Sequence, residues 1–221
     1  MTDFSGRQFA YIADVHRQIP GLAGLHRMTA QLLAERAPAD GRILIVGAGG
    51  GLEISGLAQQ HPKWSFDGVD PSPDMLALAA QTTLEFKART RLHAGDISVA
   101  PNGPFDAAVC LLVFHHLSRE TRDATLAGIH RRLAPGAAFV LAHISFPQTE
   151  PERTAALDRH IVYGAEAGMS QSELESKRAV MKERLHIYAP HEEEKFLADA
   201  GFKGISQFYA ALSFKGWVAY A

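Results

Sequence analysis

Three groups of residues have the types and spacing to do chemistry. The first is the run Gly47-Ala48-Gly49-Gly50-Gly51, entered from the aliphatic stretch Ile43 to Val46 and left into helix-forming residues. Glycine in such a run serves either a sharp turn or the close approach of a ligand to bare backbone. The dinucleotide pattern G-x-G-x-x-G would require glycine at Leu52, and no Gly-Lys-Ser/Thr follows to build a phosphate loop. The second group is a pair of carboxylates, Asp70 in FDGVDPSPDM and Asp96 in LHAGDI. A carboxylate at a strand tip accepts charge-assisted hydrogen bonds from both hydroxyls of a ribose; the alternative for Asp70 is to cap the helix that starts near Pro71. Asp96 beside the apolar Ile97 suits the amine edge and the face of an adenine ring, or else marks a turn. The third group is the pair His115-His116 in FHHLS. Histidine titrates near neutrality and could take a proton from an acceptor, with His116 favoured. Either ring could instead hydrogen-bond backbone at a strand-to-helix junction. His143 is a further candidate base. The other histidines lack metal-ligand spacing, so no metal site is predicted.

These residues need strand tips to hold them. RILIV, SFDGVD, RLHAGD, FDAAVCLLVF and AAFVLAHIS read as strands, and helices separate most of them. That alternation predicts an α/β protein: a mostly parallel, Rossmann-like sheet with helices on both faces. In such a sheet the glycine run, Asp70 and Asp96 all fall at the carboxyl edge, where ligands bind. Helices are predicted at RQFAYIADVHRQI and LAGLHRMTAQLLAERA before the first strand, and at SRETRDATLAGIHRRLA, stopped by Pro135-Gly136. Past Pro151 the rhythm changes to two polar-faced helices, then a helix from HEEEKFLADAG and an antiparallel hairpin, FKGISQFYAAL and FKGWVAYA. The chain therefore divides into an N-terminal helical cap (1–40), a core (41–149), a helical insert (150–189) and a closing helix and hairpin (190–221), all within one expected domain. The insert is placed to cover the sheet edge or to form a homodimer surface.

Bulk properties exclude several classes. Lys plus Arg number 22 and Asp plus Glu 24, a balance that advertises no nucleic-acid surface. No apolar run approaches the roughly 18 residues that span a bilayer. The opening residues lack the pattern of a secretory signal, and the single Cys110 lies in an apolar run. The expectation is a cytoplasmic protein in which Cys110 is a small buried hydrophobe.

ILIVGAGGG, GVDPSPDM, HAGDI, FDAAVCLLVFHHL and LAPGAAFVLAH occur in the order and spacing of class I S-adenosylmethionine-dependent methyltransferases, which the chain resembles. Within that superfamily it is most similar to the carboxy-S-adenosylmethionine synthase and tRNA uridine-34 modification branch, through RQIPGLAGLHRMTAQLLAERA and GMSQSELESKRAVMKERL. The resemblance implies S-adenosyl-L-methionine as cofactor. It implies a cofactor site of Gly47, Ala48, Gly49, Gly51, Asp70, Pro71, Met75, Asp96, Ile97, Leu111 and Leu112. It also implies that Arg178 holds a substrate or cofactor carboxylate; the alternative is a solvated helix with pairs such as Glu173 with Lys177. The chain departs from the pattern at three positions: Ile45 stands where methyltransferases carry an acid, Leu22 where the branch has tyrosine, and Leu111 where it has asparagine. With Ile45 apolar, recognition of the cofactor ammonium is expected to rest on backbone carbonyls. The expected function is methyl transfer to a small-molecule acceptor. The alternatives are carboxy-S-adenosylmethionine synthesis, a nicotinamide oxidoreductase, and cofactor sensing without turnover.

Overall fold

The computed structural model describes Ala13, residues 15–166 and residues 168–221. The helix expected over 7–19 therefore lies largely outside the described residues. Beyond it, a helix α1 (Leu22–Ala34) precedes β1 (Arg42–Val46), α2 (Leu52–Gln60), β2 (Ser65–Asp70), α3 (Pro73–Thr82) and β3 (Thr90–Ala94). Then follow β4 (Phe105–Leu111), α4 (Arg119–His130) and β5 (Leu133–Ile144). The insert supplies α5 (Glu152–Tyr163) and α6 (Gln171–Arg184), and α7 (Pro190–Asp199), β6 (Lys203–Ala211) and β7 (Phe214–Tyr220) close the chain.

The strands form one seven-stranded sheet in the order β3-β2-β1-β4-β5-β7-β6. β1 to β5 run parallel, while β7 pairs antiparallel with both β5 and β6. This is the expected Rossmann-like sheet, mostly parallel with an antiparallel C-terminal hairpin. The chain moves outward from β1 to β3 and then returns to place β4 on the other side of β1. That reversal opens a crevice between the tips of β1 and β4.

Successive residues of a strand face opposite ways, so each strand divides its side chains between two cores. Ile43, Ile45, Val109 and Leu111 pack with α1 and α2, whereas Leu44, Val46, Ala108 and Cys110 pack with α4 and α7. Cys110 is fully buried and unpaired, as its apolar setting predicted. Burial pushes its thiol well above the usual value, and the Glu53 charge adds to the rise.

Several boundaries differ from the sequence reading, two of them at irregularities of the backbone. The helix before Pro135-Gly136 already ends at His130, and β5 runs from Leu133 through both residues. Gly136, at φ +77°, donates its N–H to the carbonyl of Ala221, so the pair sits at the irregular start of an interior strand and does not stop a helix. β4 ends at Leu111 instead of Phe114 because Leu112 takes φ +64° and residues 114–116 form a 3-10 turn.

Candidate active site

The glycine run leaves β1 at the crevice. The N–H groups of Gly47 and Ala48 both donate to the carbonyl of Val69 on β2, so the turn is tied to the neighbouring strand as soon as β1 ends. Gly47 has φ +76°, and a Cβ there would come within 2.1 Å of Val113 Cγ2. The fold itself therefore demands glycine at 47, whatever approaches the backbone. Gly49 also has positive φ, and its N–H donates to Asp70 Oδ2 at 2.9 Å. Asp70 Oδ1 accepts the N–H of Ser72 at 2.9 Å. The carboxylate thus locks the glycine turn to the tip of β2 and stays 8% exposed. A carboxylate has about four lone-pair directions, so two remain for hydroxyl donors. The helix after it is capped by Ser72, whose Oγ accepts the N–H of Met75, which frees Asp70 from that duty.

Asp96, exposed at the end of β3, accepts the N–H of Ser98 at 2.8 Å and caps a short 3-10 turn. Hydrogen bonds from Ser98 hold its carboxyl below the ordinary range. The side chain of Ile97 is buried in the α4-side core, where a Cβ on Gly128 would meet it at 2.8 Å. Pro71 is exposed, Met75 and Leu112 are half-buried, and Leu111 is buried at the tip of β4. Glycine turn, ribose-type carboxylate and adenine-type carboxylate thus lie along three adjacent strand tips, an arrangement that fits an adenosyl group.

The histidines occupy a separate cavity next to this edge. A space of about 470 Å³ is lined by His115, His116 and His160, by Ile144 and Ile161, and by Lys177 and Met181 of α6. The insert forms its roof. His115 is buried, its Nδ1 3.4 Å from the N–H of Ile144, which makes Nε2 the protonated nitrogen. Desolvation pushes its pKa well below the usual value, and the nearby His116 adds to the fall. His116 stands at the cavity mouth, exposed overall, and partial burial of its ring lowers its pKa as well. His160, which the sequence left among scattered histidines, joins them from α5. Its Nδ1 lies 2.6 Å from Ser213 Oγ, and burial lowers its pKa to about 4. Only tertiary packing brings α5 over β4 and β5, and no local signal marks this residue.

Arg122 holds the histidine turn in place. It is fully buried on α4, donates to the carbonyls of Phe114 and His186, and pairs with Glu193 of α7. The N–H of His186 in turn donates to the carbonyl of His115. His143 belongs to this network and does not line the cavity. Its Nδ1 is 3.0 Å from its neighbour's carbonyl and its Nε2 3.4 Å from Glu193. Arg178 donates to Asp158 Oδ1 of α5 through Nε and Nη2, at 2.9 and 2.7 Å, and does not line the cavity either. Glu173 is committed to a capping box with Ser170 at the start of α6. Among the described residues no cluster of three His, Cys, Asp or Glu side chains could hold a metal ion, and no helix is long and apolar enough to cross a membrane.

Residues 44–139, which carry the glycine turn and both carboxylates, match the family model of a methyltransferase domain. That core is a methyltransferase domain of the class I kind, with S-adenosylmethionine as its cofactor. A curated relative from Dichelobacter nodosus, named carboxy-S-adenosyl-L-methionine synthase, is 26% identical over 223 residues, covering 98% of this chain and 91% of its own length. One of the same name from Chromohalobacter salexigens is 28% identical over 214 residues, covering 93% and 78%. The fold superposes on human N-acetylserotonin methyltransferase, solved in complex with S-adenosylmethionine, with a TM-score of 0.60 at 15% identity. That match covers 95% of this chain and 57% of the human chain, so the protein spans little over half of that neighbour's length.

Proposed function

We propose that this methyltransferase transfers the methyl group of S-adenosylmethionine to a small-molecule acceptor held in the histidine-lined cavity beneath the insert. The observation that carries the proposal is the cavity itself: at about 470 Å³ it falls in the range of roughly 300–1,000 Å³ typical of small-molecule sites. It is walled by Ile144, Ile161, Val180, Met181 and Leu185, which give it apolar sides, with a few polar groups to orient a ligand. When bound, the cofactor supplies a methyl group on a sulfonium, open to in-line displacement with the neutral thioether leaving. Asp70 and the glycine turn would hold the nucleoside, with Asp96 at the base. His115, with Nε2 carrying the proton, would donate to the acceptor. His116, neutral at pH 7 because its pKa is lowered, offers a free nitrogen to take the proton that an O–H or N–H acceptor sheds on methylation. His160 is a poorer base with its pKa near 4.

The proposal is tested by supplying purified protein with S-adenosylmethionine and a panel of hydroxyl- and amine-bearing aromatic and aliphatic acceptors, and measuring S-adenosylhomocysteine. Turnover with at least one member, falling at least about tenfold in His116→Gln, is expected, since general-base catalysis contributes about 10²–10⁴-fold. Cofactor binding without turnover on any acceptor would overturn it.

The names of the curated relatives favour a second reading, carboxylation of the cofactor's methyl group. That reaction would need a cation for the added carboxylate, and Arg178 is here paired with Asp158. Mass spectrometry of ligand carried through purification separates the two readings, because a carboxymethyl sulfonium is heavier than the methyl form.

A further inference from the structure

The aminoacyl end of S-adenosylmethionine carries an ammonium with three hydrogen-bond donors, which must find acceptors on binding. Asp70 at the tip of β2 is given to the glycine turn and the ribose, and the tips of β1 and β4 offer no acidic side chain for the ammonium: Ile45, Val46 and Leu111 are apolar and buried. A small cavity of about 10 Å³ does offer acceptors. It is bordered by Leu111 at the tip of β4, by Glu53, Gly56 and Leu57 of α2, and by His26 and Thr29 of α1. Glu53 lies two residues beyond Gly51, in the first turn of α2, where the helix dipole favours a negative charge. Its Oε1 is 3.5 Å from His26 Nε2, too far for a good hydrogen bond. His26 Nε2 and Thr29 Oγ1 are buried without any hydrogen-bond partner, and Thr29 is only 2% exposed. Buried polar atoms left unpaired are unfavourable by about 1–3 kcal/mol each, so three acceptors converging on one void point to a donor that enters it. The void has room for a single group of about water size. One carboxylate oxygen, one hydroxyl oxygen and one imidazole nitrogen match the three N–H bonds and the positive charge of an ammonium.

We propose that Glu53, with His26 and Thr29, forms the subsite for the cofactor's ammonium, in place of the backbone carbonyls expected from the sequence. The inference rests on the reading that S-adenosylmethionine lies across the tips of β1 and β4. Glu53 acts from the helix that follows the glycine turn, and α1 completes the subsite from the cap. Formation of the cofactor site thereby depends on the docking of α1.

Calorimetry with two unreactive probes tests this. S-adenosylhomocysteine carries the ammonium, whereas methylthioadenosine has the same nucleoside and thioether but no aminoacyl group. Glu53→Gln is expected to weaken S-adenosylhomocysteine by about ten- to a hundredfold, the worth of a hydrogen-bonded charge, and to leave methylthioadenosine within twofold. Thr29→Val, nearly isosteric, should show the same selectivity at smaller size, and it keeps the test alive should Glu53→Gln fail to fold. Equal losses for both probes would mean that the cluster only shapes the fold. Unchanged binding of both would mean that the void holds a water. Either result overturns the proposal. Failure of the wild-type protein to bind S-adenosylhomocysteine would overturn the cofactor placement, and this subsite with it.

Discussion

Gly47 offers a sharp test of why the chain carries a glycine run at all. In Gly47→Ala the new Cβ meets Val113 Cγ2 at 2.1 Å, and the residue must hold φ +76°. The left-handed conformation is unfavourable for alanine by about 1–2 kcal/mol, and overpacking against a side chain adds about 1–3 kcal/mol. A loss near 3 kcal/mol is therefore expected, which in a chain of this size lowers Tm by about 6–12 °C. Val113→Ala removes the clashing methyls but not the backbone strain. In the double variant, roughly half of the loss should return, as a coupling energy of about 1–2 kcal/mol in urea unfolding. Calorimetry with S-adenosylhomocysteine then separates fold from ligand. If Gly47→Ala unfolds within about 0.5 kcal/mol of wild type yet loses the ligand, glycine is needed only for the ligand, and the reasoning from Val113 is wrong.

Three further outcomes are expected. In Arg122→Met, Glu193 is left buried with only the His143 ring beside it, which should lower unfolding free energy by about 3 kcal/mol in urea. Burial raises the Glu193 pKa, but His143 and Arg122 more than offset this and hold it below the usual carboxyl range. Its contribution is therefore present above the ordinary pKa near about 4.3 and lost as pH falls through the lower folded value, so the gap between wild type and Arg122→Met should narrow below that pH. For His160 the unfolded chain binds the proton more tightly, because burial lowers the folded pKa to about 4. Between that value and the ordinary value of about 6.5 stability rises with pH, and wild type should lose about 2 kcal/mol more than His160→Gln between pH 8 and pH 5; equal losses in the two proteins would refute this. Arg178→Ala removes a half-exposed interhelical pair and should change stability by less than about 1 kcal/mol, with S-adenosylhomocysteine affinity unchanged. A large loss of affinity would place Arg178 in the cofactor site after all.

The cofactor half of the site was legible because its determinants are local. Four aliphatic residues followed by Gly47, Gly49 and Gly51 specify a buried parallel strand and a turn, and Asp70 before Pro71 marks the next strand tip. Pro73 and the Ser72 cap start α3 where the pattern places it. Parallel strands need crossovers of fixed hand, so these local signals also put the glycine turn and both carboxylates at one edge of the sheet. Boundaries failed where backbone geometry is set from a distance: Leu112 takes positive φ as its N–H bonds the carbonyl of Ala142, and Gly136 opens β5 against Ala221.

Side-chain partners separated widely in sequence were beyond local reading. His160 is 44 residues past His116, and Glu193 is 71 residues past Arg122, yet each pair is brought to one cavity or one buried ion pair. Arg178 shows the converse, since its helix and its charge were evident but its choice of Asp158 depends on how α5 packs on α6. Sequence by itself determined which strands exist and which edge of the sheet carries the glycine turn and the two carboxylates, because hydrophobic period and turn chemistry act over a few residues. The tertiary structure alone decided which histidines share a cavity, which charges neutralise one another, and that α1 brings His26 and Thr29 to Glu53. Those outcomes depend on helix docking, where many weak contacts summed over whole faces choose the partners.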